Sequence, residues 1–172
     1  MGASRQSKSE QEDSVTTVTK TSTSSIVPGL VHVGFDAVEV YLQSLCGNGL
    51  IDPLEPDKEM GVQVVIVNEA GKLINCLSLG NEQTAARFVK LAAEKAQRAA
   101  QDRASTRNME PDGDLKGVAG AGGFWSGVGC FAGGVAGLPT QWDEALARVV
   151  AGVITATMEG ETRSRSRPAR ER

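Results

Sequence analysis

The sequence is short of the side chains from which many catalytic and metal sites are built. It contains one histidine, His32, and three cysteines that lie far apart, Cys46, Cys76 and Cys130. This spacing fits neither a disulfide framework nor a zinc site. A Ser-His-Asp or Cys-His relay would have only one possible base. We therefore expect reduced thiols and a cytoplasmic location.

Two further absences exclude other classes of protein. Residues 117–142 carry no charge, but nine of residues 117–137 are glycine, a composition too poor in large apolar side chains for a membrane span. The N-terminus lacks the apolar run of a secretory signal. Residues 161–172 hold five arginines and two glutamates, which leaves residues 26–160 with a net charge of about −6. Nucleic-acid binding is therefore expected only weakly, through this basic tail.

The remaining composition indicates one domain between two tails. Aromatic residues make up 4% of the 172 residues and glycine occurs 20 times, so small side chains must do much of the packing. Residues 1–25 contain twelve serines or threonines and almost no large apolar side chain. Burial of this stretch would therefore not offset the entropy lost when its backbone becomes ordered. We predict flexible tails at 1–25 and 161–172 around a single domain at 26–160. The Thr-rich stretch 15–26 could add an edge strand.

Hydrophobic periodicity predicts three helices and an antiparallel sheet inside this domain. Asn81 is expected to cap the second helix, whose alanine-rich buried face includes Val89, and the third helix is expected to start from a Thr140 cap and end at Gly160. The predicted helices cover residues 29–45, 82–102 and 140–160, and the predicted strands cover residues 62–67, 73–79 and 128–135, with a possible further strand in 117–125. The expected class is α/β, an α+β layer with a central antiparallel sheet flanked by helices.

Five side chains could contribute to a ligand site, and each also has a simpler interpretation. Lys95 and Arg98 could form an anion cradle that faces the glycine-rich strand, or they could be solvated helix charges. Trp125 could close over a planar ligand or fill the core. Asp143 is best explained as a capping charge, and His32 as a packed or surface imidazole, with axial metal ligation as the alternative.

The glycines of the strand at 128–135 formally fit a dinucleotide-binding pattern. That pattern must follow a strand and open directly into a helix, whereas Gly127 and Gly129 lie at or inside the predicted strand. The glycines therefore favour close packing of a second backbone over phosphate binding.

Four motifs in order resemble those of the GlcG/HbpS family of haem-binding and haem-degrading-type proteins, which is related to the PduO C-terminal domain. They are VVIVNEAGKL (64–73), AAEKAQRA (92–99) with the following STRNM (105–109), GVGCFAGG (127–134) and WDEALA (142–147). The resemblance spans about residues 28–158 and implies a profilin-like fold, homo-oligomers and a small-ligand pocket between the central helix and the glycine strand. The sequence departs from the family at Arg98, where Thr is usual, and at Gly133, where Ser is usual.

Three hypotheses about function follow. The first is a non-enzymatic, homo-oligomeric protein that binds haem or another tetrapyrrole, such as a corrinoid. Its candidate ligand-binding residues are Lys95, Arg98, Trp125, Gly127, Gly129, Gly133 and Asp143, with His32 as the candidate metal ligand. The second is an enzyme in which Arg98 clamps a small organic acid and Asp143 or Cys76 handles protons. The third is a structural subunit whose tails contact partners.

Overall fold

A computed structural model of the chain describes residues 28–106 and 120–165. These residues form three α-helices and four β-strands. In chain order the elements are α1 (Pro28–Gly47), β1 (Gly61–Asn68), β2 (Leu73–Gly80), α2 (Glu82–Asp102), β3 (Gly123–Ser126), β4 (Phe131–Ala136) and α3 (Thr140–Arg165). None of the helices in these ranges is long and apolar enough to cross a membrane.

β1 is the buried centre of a four-stranded antiparallel sheet with the order β2-β1-β4-β3. Its β-branched side chains suit a strand that is covered on both faces, and only its last residue is not fully buried. Val64 pairs with Leu77 of β2 on one side and with Val135 of β4 on the other. Because side chains alternate along a strand, Val64 and Val65 belong to different hydrophobic clusters on opposite faces of the sheet.

α2 lies directly on one face of the sheet because the side chains that meet the sheet are small. Ala92, Ala96 and Ala99 are fully buried. A methyl group added to Gly134 of β4 would overlap the carbonyl oxygen of Ala92 and lie 2.8 Å from the amide nitrogen of Ala96. The glycine-rich strand and the alanine-rich helix face therefore permit each other's close approach, as the sequence predicts.

α1 and α3 cover the opposite face of the sheet. A side chain at Gly34 of α1 would meet Ile154 of α3, with 2.6 Å between its Cβ and Cγ1 of Ile154, so these two helices also pack closely. Phe124 and Phe131 fill the space under them with their rings edge to face, 6.0 Å between centroids. The apolar positions predicted for the first helix are all buried: Val31, Phe35, Val38, Leu42 and Leu45.

Most predicted elements are confirmed, including the α+β class, α1, the β1–β2 hairpin and α2. Asn81 caps α2, because its side-chain oxygen accepts a hydrogen bond of 3.0 Å from the Thr84 amide. The possible strand in 117–125 is found as β3. The predictions for residues 1–25, for 107–119 and for the last seven residues lie outside the described ranges.

Other details of the prediction were wrong. The last strand begins at Phe131 and not at residue 128, because residues 127–130 form a turn in which Gly129 and Cys130 have positive φ values of 77° and 50°. Val89 is 43% exposed and does not share the buried face of α2. Gly160 does not end the last helix, which continues through the first residues of the expected basic tail.

The start of α3 also differs slightly from the prediction. Thr140 is the first helical residue and not the cap. The carbonyl oxygen of Pro139 accepts hydrogen bonds from the Trp142 and Asp143 amides at 2.8 and 3.1 Å. The backbone of Pro139 therefore takes the capping position, and the Asp143 carboxylate lies within the first turn, where negative charge is favourable.

Candidate functional site

Lys95 and Asp143, both candidate ligand residues, form an ion pair in the interior. Lys95 is fully buried, and its Nζ donates hydrogen bonds to Oδ2 of Asp143 at 3.0 Å and to the carbonyl oxygen of Val135 at 2.8 Å. Oδ1 of Asp143 accepts a hydrogen bond of 3.0 Å from the Leu138 amide. The pair therefore ties α2 to the start of α3 across the end of β4.

Burial acts on both partners of this pair in the direction of neutrality. Desolvation lowers the pKa of Lys95, while the charge and hydrogen bond of Asp143 act in the opposite direction. Desolvation likewise raises the pKa of Asp143 to about 6, against the effects of Lys95 and of the Leu138 amide. The mutual attraction and the hydrogen bond between the two groups oppose this effect of burial and favour the charged form of each.

The pocket expected between the central helix and the glycine strand is closed in the middle of β4. Gly134 faces α2 in direct backbone contact. Gly133 points to the other face of the sheet, where an added methyl group would overlap Phe124 and lie 2.8 Å from Ile66. The glycines at these positions let neighbouring groups fill the space, so the expectation of an open crevice there was wrong.

The C-terminal end of α2 carries cations beside an aromatic ring. Arg103 follows the helix in the left-handed conformation, and the central carbon of its guanidinium group lies 5.8 Å from the ring centroid of the half-buried Trp125 of β3. Arg98 lies half-buried on α2 one turn after Lys95, hence on the flank of the helix that faces β4 and β3. We call Trp125, Arg98 and Arg103 the Trp125 patch.

The backbone around the Trp125 patch is fixed on one side and open on the other. The buried Thr106 donates a hydrogen bond to the Gly120 carbonyl oxygen and accepts one from the Gly123 amide, at 2.6 and 2.8 Å. Gly127, two residues after Trp125, is exposed, and a methyl group added there would meet nothing within 4 Å. Gly129 is buried against Met158 and does not reach the open side.

The remaining candidate residues lie elsewhere. His32 is exposed on α1, on the face of the sheet opposite to α2, with its ring edge-on to Phe35 at 6.4 Å. Cys76 is exposed on β2, whereas Asp143 is buried at the far side of β1, so the second hypothesis finds no common site for Arg98, Asp143 and Cys76. In the part of the chain that the structure describes, no three His, Cys, Asp or Glu side chains are placed to hold a metal ion.

A cavity of about 370 Å³ lies on this opposite face, between α1, the loop after it and β2. Most of its walls come from residues 39–55, and Leu79 of β2 closes it from a distant segment, a contact that no sequence pattern indicated. Apolar side chains, Leu42 and Leu79 among them, form part of its lining, together with the carboxylates Glu39 and Glu55. This negative charge disfavours an anionic ligand.

Sequence reasoning missed Arg103 as a candidate and misread Lys95. Arg103 stands where a helix usually ends in glycine, and an arginine in a left-handed conformation is uncommon there. The place of Arg103 directly after the predicted end of the helix was the available signal. For Lys95 the signal was its position within a run of buried alanines, which points to a buried ammonium group.

Comparison with known proteins identifies the fold. No protein-family model matches the chain, and no curated protein matches it in sequence. The crystal structure of ORFY from Klebsiella pneumoniae, described as a DUF336 protein, matches with a TM-score of 0.54 and 17% identity, over 89% of this chain and 99% of that one. The structure of a PduOC:heme complex matches with a TM-score of 0.51 and 19% identity, over 75% and 94%. The chain thus has the GlcG-like fold of these proteins.

Proposed function

We propose that this chain is a haem-binding protein that holds the edge of the porphyrin at the Trp125 patch. The observation that carries the proposal is the placement of the Arg103 guanidinium group beside the Trp125 ring, at the open end of a fold shared with a protein solved as a haem complex. A corrinoid, the other tetrapyrrole expected from the sequence, has no support from these two structures.

The chemistry of the Trp125 patch suits the periphery of haem. Haem has a flat apolar ring with two carboxylate groups at one edge. An indole ring offers a face for stacking, and guanidinium groups bind carboxylates through paired hydrogen bonds. Arg98 and Arg103 supply two such groups, and the exposed Gly127 leaves space beside the ring.

The fit to haem concerns its ring and carboxylates. Bound haem would supply a redox-active iron, while the described residues bind and orient the edge of the ring. His32 lies on the opposite face of the sheet from the Trp125 patch, so we assign the iron no ligand among these residues. Lys95 and Asp143 take a positioning role, because their buried ion pair fixes α2 relative to β4.

A haemin titration followed by the Soret band tests the proposal. Wild-type protein is expected to bind with a dissociation constant on the order of micromolar. Replacing one guanidinium group, Arg98→Gln or Arg103→Gln, is expected to weaken binding about tenfold or more, because a hydrogen bond to a charged group is worth about 1.5–3 kcal/mol. Trp125→Leu removes the stacking face and is expected to weaken binding as well.

Two matched controls locate the site. Arg87 is exposed near the other end of α2, so Arg87→Gln makes the same chemical change away from the Trp125 patch and is expected to leave binding unchanged. His32→Ala is also expected to have no effect. Absence of a Soret shift at tens of micromolar haemin would refute haem binding, and loss of binding in His32→Ala would place haem against α1 instead.

We also propose that the protein is a homo-oligomer, as the resemblance found in the sequence implies. Size-exclusion chromatography with light scattering measures the mass of the full chain directly. A mass of about 18 kDa at every concentration would refute this part of the proposal.

A further inference from the structure

The cavity of about 370 Å³ between α1 and β2 has no part in the proposed function. Its wall residue Leu42 belongs to the hydrophobic cluster under α1 and α3, whereas Trp125 packs against the cluster under α2, so the cavity and the Trp125 patch lie on opposite faces of the sheet. The volume falls within the usual range of ligand pockets, about 300–1,000 Å³. The cavity is therefore large enough to hold a small molecule of its own.

One wall of the cavity is a single stripe of α1. Glu39, Leu42, Gln43 and Cys46 line it, and they stand at positions i, i+3, i+4 and i+7 of the helix, which share a face. Leu42 is 2% exposed and belongs to the core, whereas Glu39 and Gln43 are exposed. This wall is thus apolar toward the core and polar toward solvent.

The opposite wall is a short piece of the loop after α1 that is held at both of its ends. The Cys46 thiol donates a hydrogen bond of 3.4 Å to the carbonyl oxygen of Asp52. The side-chain amide of Asn81, directly after β2, donates one of 3.0 Å to the carbonyl oxygen of Pro56. Between these two points, Leu54 packs against the core. The loop is thereby fixed relative to α1 and β2, so the cavity is already formed before a ligand enters.

The charges of the cavity favour an organic cation. The described residues that line it include the carboxylates of Glu39 and Glu55 and no lysine, arginine or histidine. Residues 51–60, which contain the loop wall, carry four acidic residues and one lysine. This excess of negative charge attracts cations. A metal ion does not fit, because no three potential metal ligands come together in the described ranges.

We propose that this cavity is a second ligand site, which binds an organic amine in its ammonium form. The apolar body of the amine lies against Leu42, Leu54 and Leu79. The ammonium group lies at the rim, where Glu39 and Glu55 supply the compensating charge. This site is separate from the proposed haem site, since haem is an anion and the Trp125 patch lies on the other face of the sheet.

Calorimetric titration of the full chain with three indole compounds of different charge tests the proposal. Tryptamine carries an ammonium group, tryptophol is its neutral analogue and indolepropionate is an anion. Tryptamine is expected to bind with a dissociation constant on the order of 100 μM. Tryptophol is expected to bind about tenfold more weakly, because it lacks the attraction to two exposed carboxylates, and indolepropionate is expected to show no binding.

Matched variants locate the site. Glu39→Gln and Glu55→Gln are each expected to weaken tryptamine binding about threefold, and the double variant about tenfold. Glu69→Gln makes the same change at an exposed carboxylate in the turn after β1, at the other end of the β1–β2 hairpin, and is expected to have no effect. Gln43→Trp fills the cavity from an exposed position and is expected to abolish binding, with an unchanged urea midpoint as evidence that the fold is intact.

Cys46 provides a second measurement that does not depend on a variant. Its half-buried thiol lines the cavity, whereas Cys76 is exposed on β2 and does not line it. Saturating tryptamine is expected to slow the reaction of Cys46 with iodoacetamide severalfold and to leave that of Cys76 unchanged. Mass spectrometry of the alkylated peptides measures both rates in one sample.

Three results would overturn the proposal. The first is no tryptamine binding at about 1 mM, or binding no tighter than that of tryptophol. The second is tryptamine binding that is unchanged in both Glu39→Gln/Glu55→Gln and Gln43→Trp. The third is binding that Trp125→Leu abolishes and Gln43→Trp does not, which would place the amine at the Trp125 patch. The haemin titration is independent of all three, so failure of one proposal is distinguishable from failure of the other.

Discussion

The buried pair Lys95–Asp143 gives the sharpest test of the structure. Removing one partner of a buried ion pair costs about 3–5 kcal/mol, because the other charge then stays in the interior without compensation. Lys95 is fully buried and the side chain of Asp143 is 7% exposed, so solvent can replace neither partner. Lys95→Met and Asp143→Ala are each expected to lower the free energy of unfolding by this amount. This is a large part of the total, because a typical domain has a free energy of unfolding of about 5–15 kcal/mol.

Two further variants separate charge from capping and from packing. Asp143→Asn removes the charge but keeps an oxygen that can accept the Leu138 amide hydrogen bond, so it is expected to lose less than Asp143→Ala. The double variant Lys95→Met/Asp143→Leu replaces both charges by apolar groups. It is expected to lose less than the sum of the single losses, because no charge is then left in the interior without a partner.

Urea unfolding followed by circular dichroism measures these losses. With a slope of about 1–3 kcal/mol per molar urea, a loss of 3–5 kcal/mol lowers the midpoint by roughly 2 M. Single losses below about 1 kcal/mol, or losses that simply add in the double variant, would show that Lys95 and Asp143 do not interact in the interior. The assignment of these two residues to the core would then be wrong.

Three further predictions follow from the packing and the titration of the same elements. Gly134→Ala is expected to cost about 3 kcal/mol, because its methyl group overlaps the backbone of α2, whereas Gly152→Ala, on the exposed side of α3, is expected to stabilise by up to about 1 kcal/mol in urea unfolding. Burial raises the pKa of Asp143 from 3.8 to about 6, so the native state binds this proton more readily than the unfolded chain does. The contribution of Asp143 to the free energy of unfolding therefore falls as the pH rises from about 4 to about 6. Over that range the wild type is expected to lose stability relative to Asp143→Asn, as urea unfolding at each pH measures. Gly160→Ala is expected to stabilise by about 0.5–1 kcal/mol in thermal unfolding, since α3 continues through this residue, and a loss of stability would mean that Gly160 ends the helix after all.

The regular elements could be predicted because their residues repeat with the period of a helix or a strand. The positions from Val31 to Leu45 return to one face of α1, and the β-branched run of β1 suits only a strand covered on both sides. The start of β4 could not be predicted in this way. Glycine alternates with larger residues on both sides of Phe131, and the turn depends on a left-handed Cys130, which the sequence pattern did not indicate.

The candidate site was predictable only in part, because contacts between distant segments decide whether a charged residue is exposed. Lys95 and Asp143 stand 48 positions apart in sequence. Each has a reasonable local interpretation, as a helix cation and as a capping carboxylate. They form a pair because α2 packs directly against β4, and this close packing is possible because the facing residues of both elements are alanine and glycine.

The same close seating constrains where an anion can bind. Because α2 touches β4 along its alanine face, Lys95 is drawn into the interior and its charge is compensated by Asp143. Arg98 and Arg103 are the cations of the last two turns of α2 and its cap, at the helix end whose dipole favours positive side chains. Under the proposed function, an anionic ligand is therefore expected at this end of the helix, beside Trp125, and not at the middle of the glycine strand.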